Sequence, residues 1–146
     1  IERIDEELQK VYDWAADVMN RHWDPANARR KIKKLPDVTV SDILLDQNIF
    51  AGVGNIIKNE VLFRIRVHPE TTVRALPPRK LSALIKEARN YSYDFYRWKK
   101  VFLLSKNWLI YTKQKCPGCK GPITKKYTGL TKRRSFMCER CQVLYR

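Results

Sequence analysis

Apolar residues recur at helical spacing in four stretches of the chain, and each stretch predicts an amphipathic helix. The four cover residues 3–20, 38–50, 55–65 and 79 to about 100. Pro25 ends the first pattern, because proline disfavours a helical conformation in the residue before it. We therefore predict a mainly α-helical fold.

Two closely spaced glycines, Gly52 and Gly54, separate the second and third predicted helices. Both can adopt positive φ without strain, which predicts a tight reversal of the chain. Asn55 opens the next helix, where its side chain or the free N–H groups of the first turn can hold an anion. Such a connection is usually only a turn, but it would also let a phosphate backbone approach closely.

All four cysteines lie near the end of the chain in two C-x2-C pairs, Cys116 with Cys119 and Cys138 with Cys141. This spacing is typical of a tetrahedral site with four thiolate ligands, which we expect to hold a structural Zn²⁺. Two disulfides are the alternative, but two-residue gaps suit a metal better. Four thiolates fill the coordination shell and leave no position for catalysis.

Between the cysteine pairs, residues 123–127 and 135–137 are predicted to form a hairpin around a turn at 128–131, with Arg133 and Arg134 on the returning strand. The chain carries a formal charge of +15, and residues 113–146 hold ten basic residues against one acidic residue. This excess favours a polyanionic partner such as nucleic acid. A membrane partner is disfavoured, since no apolar run approaches the ~20 residues that span a bilayer.

Three other features each allow two interpretations. Glu60, in the third predicted helix, could be a catalytic acid or a partner for nearby backbone N–H groups, and we favour the second. The basic run at residues 29–34 could contact DNA or form a solvated surface, and we favour the surface. The aromatic residues of the long helix could stack on bases, but packing against residues 1–20 explains most of them.

The order of residues around the two glycines resembles the helix–two-turns–helix motif of the formamidopyrimidine-DNA glycosylase and endonuclease VIII family. The segments that carry the resemblance are Leu44-Leu45-Asp46-Gln47, Gly52-Val53-Gly54-Asn55-Ile56, Asn59-Glu60-Val61-Leu62-Phe63 and His68-Pro69.

The cysteine-rich end is similar to the zinc finger that closes the same family. There an arginine five residues before the third cysteine grips DNA, which by position is Arg133, with Arg134 as the alternative if the hairpin register slips by one. The family's Tyr-Gly-Arg before the first cysteine is replaced here by Tyr111-Thr112-Lys113, a departure in the linker.

The resemblance implies a bifunctional DNA glycosylase/AP lyase in base excision repair of oxidised bases. In that family an N-terminal β-sandwich begins with a catalytic proline, which nothing here matches, since the chain starts at Ile1 and its first third is predicted helical. We therefore expect the C-terminal DNA-binding half of such an enzyme, inactive alone. We expect a helical domain over residues 1–112, with the motif at about 38–69, and a zinc-bound hairpin over 113–146.

The implied partner is double-stranded DNA containing damaged bases or abasic sites, bound by an intracellular monomer; oxidised pyrimidines are weakly favoured as the lesion. The expected DNA-binding residues are Gly52, Gly54, Asn55, Lys58, Arg133 and Arg134. Two alternatives remain open: a stand-alone zinc-ribbon module that binds nucleic acid, and a protein-interaction module whose basic surface is incidental.

Overall fold

The computed structural model describes residues 17–146. Most of the helix predicted over 3–20, including Trp14, lies outside the described residues. Its last part, residues 17–20, is not helical: Asp17 forms a parallel bridge with Ala51, and the Asn20 N–H donates to the Asp17 carbonyl in a turn.

Four α-helices and one two-stranded sheet make up the described residues, in agreement with a mainly helical fold that ends in a β-hairpin. None of the helices within residues 17–146 is long and apolar enough to cross a membrane. The bounds of the elements are α1 Pro25–Lys33, α2 Val40–Leu45, α3 Asn55–Arg64, α4 Pro78–Lys100, β1 Thr124–Thr128 and β2 Arg133–Met137.

Helix α1 was not predicted, because its apolar residues show no clear helical pattern and Pro25 indicates a break in a helix. Proline is in fact favoured in the first turn of a helix, where its missing N–H has no partner to lose. The Asp24 carboxylate caps this end by accepting the Ala26 N–H at 3.0 Å. The basic run thus lies on a helix, with Ala28 and Ile32 buried on its inner side.

Helix α2 begins near the predicted residue but ends five residues earlier than the predicted Phe50. Thr39 caps the start of this helix, because its side chain accepts the Asp42 N–H at 3.3 Å. At Asp46 the backbone becomes extended, and its carbonyl accepts the N–H groups of Ile49 and Phe50 in a turn. Ile49 and Phe50 are buried as predicted, but from a turn instead of a helix.

The core forms where α3 packs against α4, which also contacts α1. Tyr91, on α4, is fully buried in this core. The Trp98 ring packs edge-on against the Tyr91 ring, with the two ring centroids 5.9 Å apart. The Arg64 guanidinium, from α3, lies 4.8 Å from the Tyr91 ring centroid. Core packing therefore accounts for Tyr91 and Trp98, although the packing described here is on α3, and most of the predicted partner, residues 1–20, lies outside the described residues. Tyr93 is 41% exposed.

Strands β1 and β2 pair antiparallel with Tyr127 opposite Arg134 and Thr128 opposite Arg133. The hairpin packs on α3, and the tail that follows it returns to the end of that helix. There the Gln142 side chain links the cysteine-rich end to the residues after α3. It accepts the Cys138 N–H at 2.8 Å and donates to the Val67 carbonyl at 3.0 Å. The cysteine-rich end therefore packs on α3 itself and is also bonded to the residues that follow this helix.

Glu60 is fully buried on α3 and holds the segment that leads into the cysteine-rich end. Its carboxylate accepts the N–H groups of Leu109, Ile110 and Tyr111 at 2.7, 2.8 and 3.0 Å. The prediction that Glu60 serves backbone N–H groups is therefore confirmed. A carboxylate suits this position because it offers only acceptors, and buried N–H groups without an acceptor are costly.

We predict that E60Q lowers the free energy of unfolding by about 2 kcal/mol, because the amide offers one acceptor oxygen and turns an NH₂ group towards buried donors. Urea unfolding followed by circular dichroism measures this. E70Q is the matched control, since Glu70 pairs with Lys126 at the surface, where an ion pair contributes little. Equal effects of E60Q and E70Q would contradict the structural role of Glu60.

Candidate nucleic-acid interface and metal centre

The connection between α2 and α3, residues 46–54, forms an elbow in which only one glycine needs its special backbone freedom. Gly52 has φ of 97°, whereas Gly54 has φ of −109° and ψ of −171°, an extended conformation open to other residues. The expectation that the reversal uses positive φ thus holds for Gly52 alone. A Cβ at either position would meet no atom within 4 Å among the described residues, so both glycines border open space.

Gln47 braces this elbow from inside, a role that the sequence pattern did not reveal. Its amide nitrogen donates to the Leu45 and Val53 carbonyls at 3.1 and 3.0 Å, and its amide oxygen accepts the Gly52 N–H at 3.0 Å. The side chain therefore replaces backbone pairing across the elbow. In the sequence, only the position of Gln47 within the Leu44-Leu45-Asp46-Gln47 segment of the motif pointed to this role.

Helix α3 begins at the elbow, where no side chain of the described residues caps it. The N–H groups of Asn55, Ile56 and Ile57 have no acceptor within residues 17–146. Such groups, together with the helix dipole, favour an anion. The Asn55 side chain has another partner, because its amide nitrogen donates to the Arg134 carbonyl at 3.0 Å.

The hairpin brings Arg133 to the same groove as the elbow. The concavity measures about 690 Å³ and is lined by Leu45, Gln47, Gly52, Val53, Gly54, Thr131 and Arg133. The elbow and the hairpin thus contribute to one shared groove. Arg134 is also exposed, but it lines a separate concavity with Lys113 and Lys125, because successive side chains of a strand point to opposite faces.

Lys58, also expected to bind DNA, is not among the residues that line this groove. The side chain is fully buried, and its amine donates to Ser135 Oγ at 2.7 Å and to the Arg134 carbonyl at 3.2 Å. Burial lowers its pKa from 10.5 to about 8, with a further decrease from the Arg133 charge and an opposing contribution from Asp42.

The four cysteines form a cluster that could hold a metal ion, since their sulfur atoms all lie within 4.8 Å of one another. The Cys116 and Cys141 sulfurs are 3.7 Å apart, and those of Cys119 and Cys138 are 3.5 Å apart, so these pairs are not disulfides. The Gly121 N–H donates to Cys119 Sγ at 3.4 Å and lowers the pKa of that thiol to about 7, which favours the thiolate.

Comparison with known proteins agrees with this fold and these motifs. Residues 14–91 match the family described as the formamidopyrimidine-DNA glycosylase H2TH domain. That match covers more than half of the chain, so the chain belongs to this family.

Several curated proteins are similar in sequence. Endonuclease 8-like 3 of Homo sapiens is 37% identical over 127 residues, which cover 86% of this chain but 21% of the human protein. The formamidopyrimidine-DNA glycosylase of Geotalea uraniireducens is 33% identical over 119 residues, which cover 72% of this chain and 43% of that protein. The chain therefore spans about a fifth of the human relative and less than half of the bacterial one.

The fold is shared with solved glycosylase structures. The Lactococcus lactis formamidopyrimidine-DNA glycosylase, crystallised non-covalently bound to DNA containing an AP site, superimposes with a TM-score of 0.80 at 23% identity. The match covers 95% of this chain and 52% of the bacterial chain. A viral DNA glycosylase superimposes with a TM-score of 0.78 at 22% identity.

We predict that the unfolding free energy of the unmodified chain, relative to K58M, increases by about 2 kcal/mol from pH 7 to about pH 9.5. Between its folded pKa of about 8 and its ordinary value of 10.5, Lys58 keeps its proton only in the unfolded chain. The unfolded state then binds more protons, so stability rises with pH.

Urea unfolding of both proteins at each pH measures this difference. K125M, which removes an exposed lysine from β1, controls for the loss of a positive charge. A difference between K58M and the unmodified chain that does not change with pH would contradict the buried position of the Lys58 amine.

Proposed function

We propose that this chain is the DNA-gripping C-terminal region of a bifunctional DNA glycosylase/AP lyase that acts in base excision repair of oxidised bases. The observation that carries the proposal is the shared groove, which is lined by the glycine elbow and by Arg133, with α3 beginning directly after the lining residue Gly54. The ligand of this groove is a backbone phosphate of double-stranded DNA at a damaged base or abasic site. The relatives whose names include DNA glycosylase support this reading.

Each wall of the groove supplies a different element of phosphate binding. The N–H groups at the start of α3 donate to phosphate oxygens, and the Arg133 guanidinium adds a charge and planar donors. At Gly54 neither the backbone angles nor the described neighbours require a glycine. A ligand from outside the chain that approaches the backbone here would explain the absence of a side chain. Contacts of this kind hold DNA in register without reading its sequence.

We assign Arg134 to a secondary contact with DNA and remove Lys58 from the set of contacting residues. Arg134 shares its concavity with Lys113 and Lys125, which suits an anion, but it faces away from the elbow. Asn55 contributes its backbone N–H, because its side-chain amide donates to the hairpin. The primary contacts are therefore Gly52, Gly54, Asn55 and Arg133.

Zn²⁺ is the metal that the cysteine cluster fits best. A tetrahedral ion with Zn–S bonds of about 2.3 Å separates its sulfurs by about 3.8 Å. The two sulfur distances of 3.5 and 3.7 Å lie close to that value, and all four donors are cysteine. The ion would be structural, joining residues at both ends of the hairpin so that Arg133 keeps its place.

We place the chemistry of the intact enzyme outside this chain. By the family resemblance, a secondary amine attacks C1′ of a flipped nucleotide, forms a Schiff base, and elimination then cuts the strand. The catalytic proline would belong to an N-terminal domain that the longer relatives contain, so we expect this chain to bind damaged DNA without cleaving it. We expect the protein to act as a monomer inside the cell, in the cytoplasm or nucleoid, or in the nucleus of a eukaryote.

We predict that R133A weakens binding of a short duplex with a tetrahydrofuran abasic-site analogue by about tenfold, since a charged hydrogen bond contributes about 1.5 kcal/mol or more. The slope of log affinity against log salt should also fall by about 0.9, the value for one lost phosphate contact. Fluorescence anisotropy at several salt concentrations measures both. R134A, the adjacent exposed arginine on the opposite face, is the matched control, and its effect should be smaller.

The opposite wall of the groove gives an independent check of the same prediction. G54A should bind the duplex less tightly while its unfolding midpoint and its content of one zinc per chain stay unchanged, because the added methyl group occupies the groove alone. If R133A and G54A both bind like the unmodified chain at low salt, the groove does not hold DNA.

A further inference from the structure

Lys58 is a buried cation whose partners all belong to the hairpin. Its amine donates to Ser135 Oγ at 2.7 Å and to the Arg134 carbonyl at 3.2 Å. Ser135 Oγ lies 2.6 Å from Thr128 Oγ1, and Thr128 Oγ1 lies 2.9 Å from Ser41 Oγ on α2. A polar chain therefore runs from α3 through both strands to α2, and the Lys58 side chain is its largest member.

The Arg134 carbonyl is the point at which α3 holds the hairpin. It accepts hydrogen bonds from Lys58, from the Asn55 amide at 3.0 Å and from the Asn59 amide at 3.2 Å. Asn59 also accepts the Phe136 N–H at 2.7 Å. Three side chains from the first two turns of α3 thus fix the backbone directly after Arg133.

Asp42, on α2, holds the hairpin turn two to three residues before Arg133. Its carboxylate accepts the Leu130 N–H at 2.8 Å and the Thr131 hydroxyl at 2.6 Å. Gly129, with φ of 70°, leaves room for this contact, since a Cβ there would collide with the carboxylate. Arg133 is exposed, but the backbone on both sides of it is held by the helices of the elbow.

We propose that Lys58 is a positioning residue that sets Arg133 against the glycine elbow, so that both walls of the groove meet one phosphate without Lys58 contacting DNA. The proposal rests on the proposed function of the groove. Loss of the amine would leave the Arg134 carbonyl to two neutral amides and break the polar chain at Ser135. Arg133 would keep its charge but lose its fixed distance from the start of α3.

A double-mutant cycle on the 146-residue chain tests this role, with the tetrahydrofuran-containing duplex as the ligand. K58M, which keeps the length and removes the amine, should weaken binding about fivefold, within the range of coupling energies between neighbouring residues. In an R133A background the same change should alter affinity by less than twofold, since no guanidinium remains to be positioned. A purely structural role would give the same loss in both backgrounds.

S135A provides a second, milder variant, because it removes one acceptor of the Lys58 amine and leaves the Arg134 carbonyl in place. Its loss of affinity should likewise depend on Arg133, and one bound zinc per chain confirms that each variant keeps its hairpin. Equal losses with and without Arg133, or no loss in K58M and S135A, would overturn the role of Lys58. Unchanged binding by R133A itself would instead overturn the proposed function.

Discussion

The docking of the hairpin on helix α3 is the interaction on which the rest of the structure depends. Without it, the elbow and Arg133 would belong to separate parts of the chain, joined by a linker with no fixed geometry. The Arg134 carbonyl is the main polar contact in this docking, since three side chains of α3 donate hydrogen bonds to it. Glu60 on the same helix fixes the incoming linker, and Gln142 fixes the outgoing tail. One ten-residue helix therefore organises both functional elements.

A consequence of this arrangement is a groove whose two walls complement an anion in different ways. One wall consists of glycines that expose the backbone, followed directly by N–H groups at the start of α3 that have no acceptor within residues 17–146. The other offers a guanidinium on a strand whose position is set by buried polar contacts. If both walls hold one phosphate, as we propose, their relative position matters as much as their chemistry. A metal ion in the cysteine cluster would hold the hairpin from its far side.

Features that depend on local residue spacing could be predicted from the sequence. Hydrogen bonds between residues far apart in the chain could not. Helix α4 and the cysteine pairs follow from spacing alone, and Glu60 was assigned correctly because a buried carboxylate beside an apolar face needs donors. The partners of Lys58 and Asn55 lie more than 75 residues away, at Arg134 and Ser135. Nothing in a helical pattern indicates such partners, so the sequence suggested an external anion for the Lys58 amine and did not indicate the hairpin. Helix α2 was predicted too long because Ile49 and Phe50 remain buried after the backbone leaves the helix.

Amide NMR of the isotope-labelled chain, titrated with a duplex containing an abasic-site analogue, determines whether the elbow and Arg133 bind DNA together. The account predicts that the N–H signals of residues 54–57 and of Arg133 shift together and most strongly, with one binding constant. Shifts confined to the basic helix α1, with these signals unchanged at saturation, would contradict it.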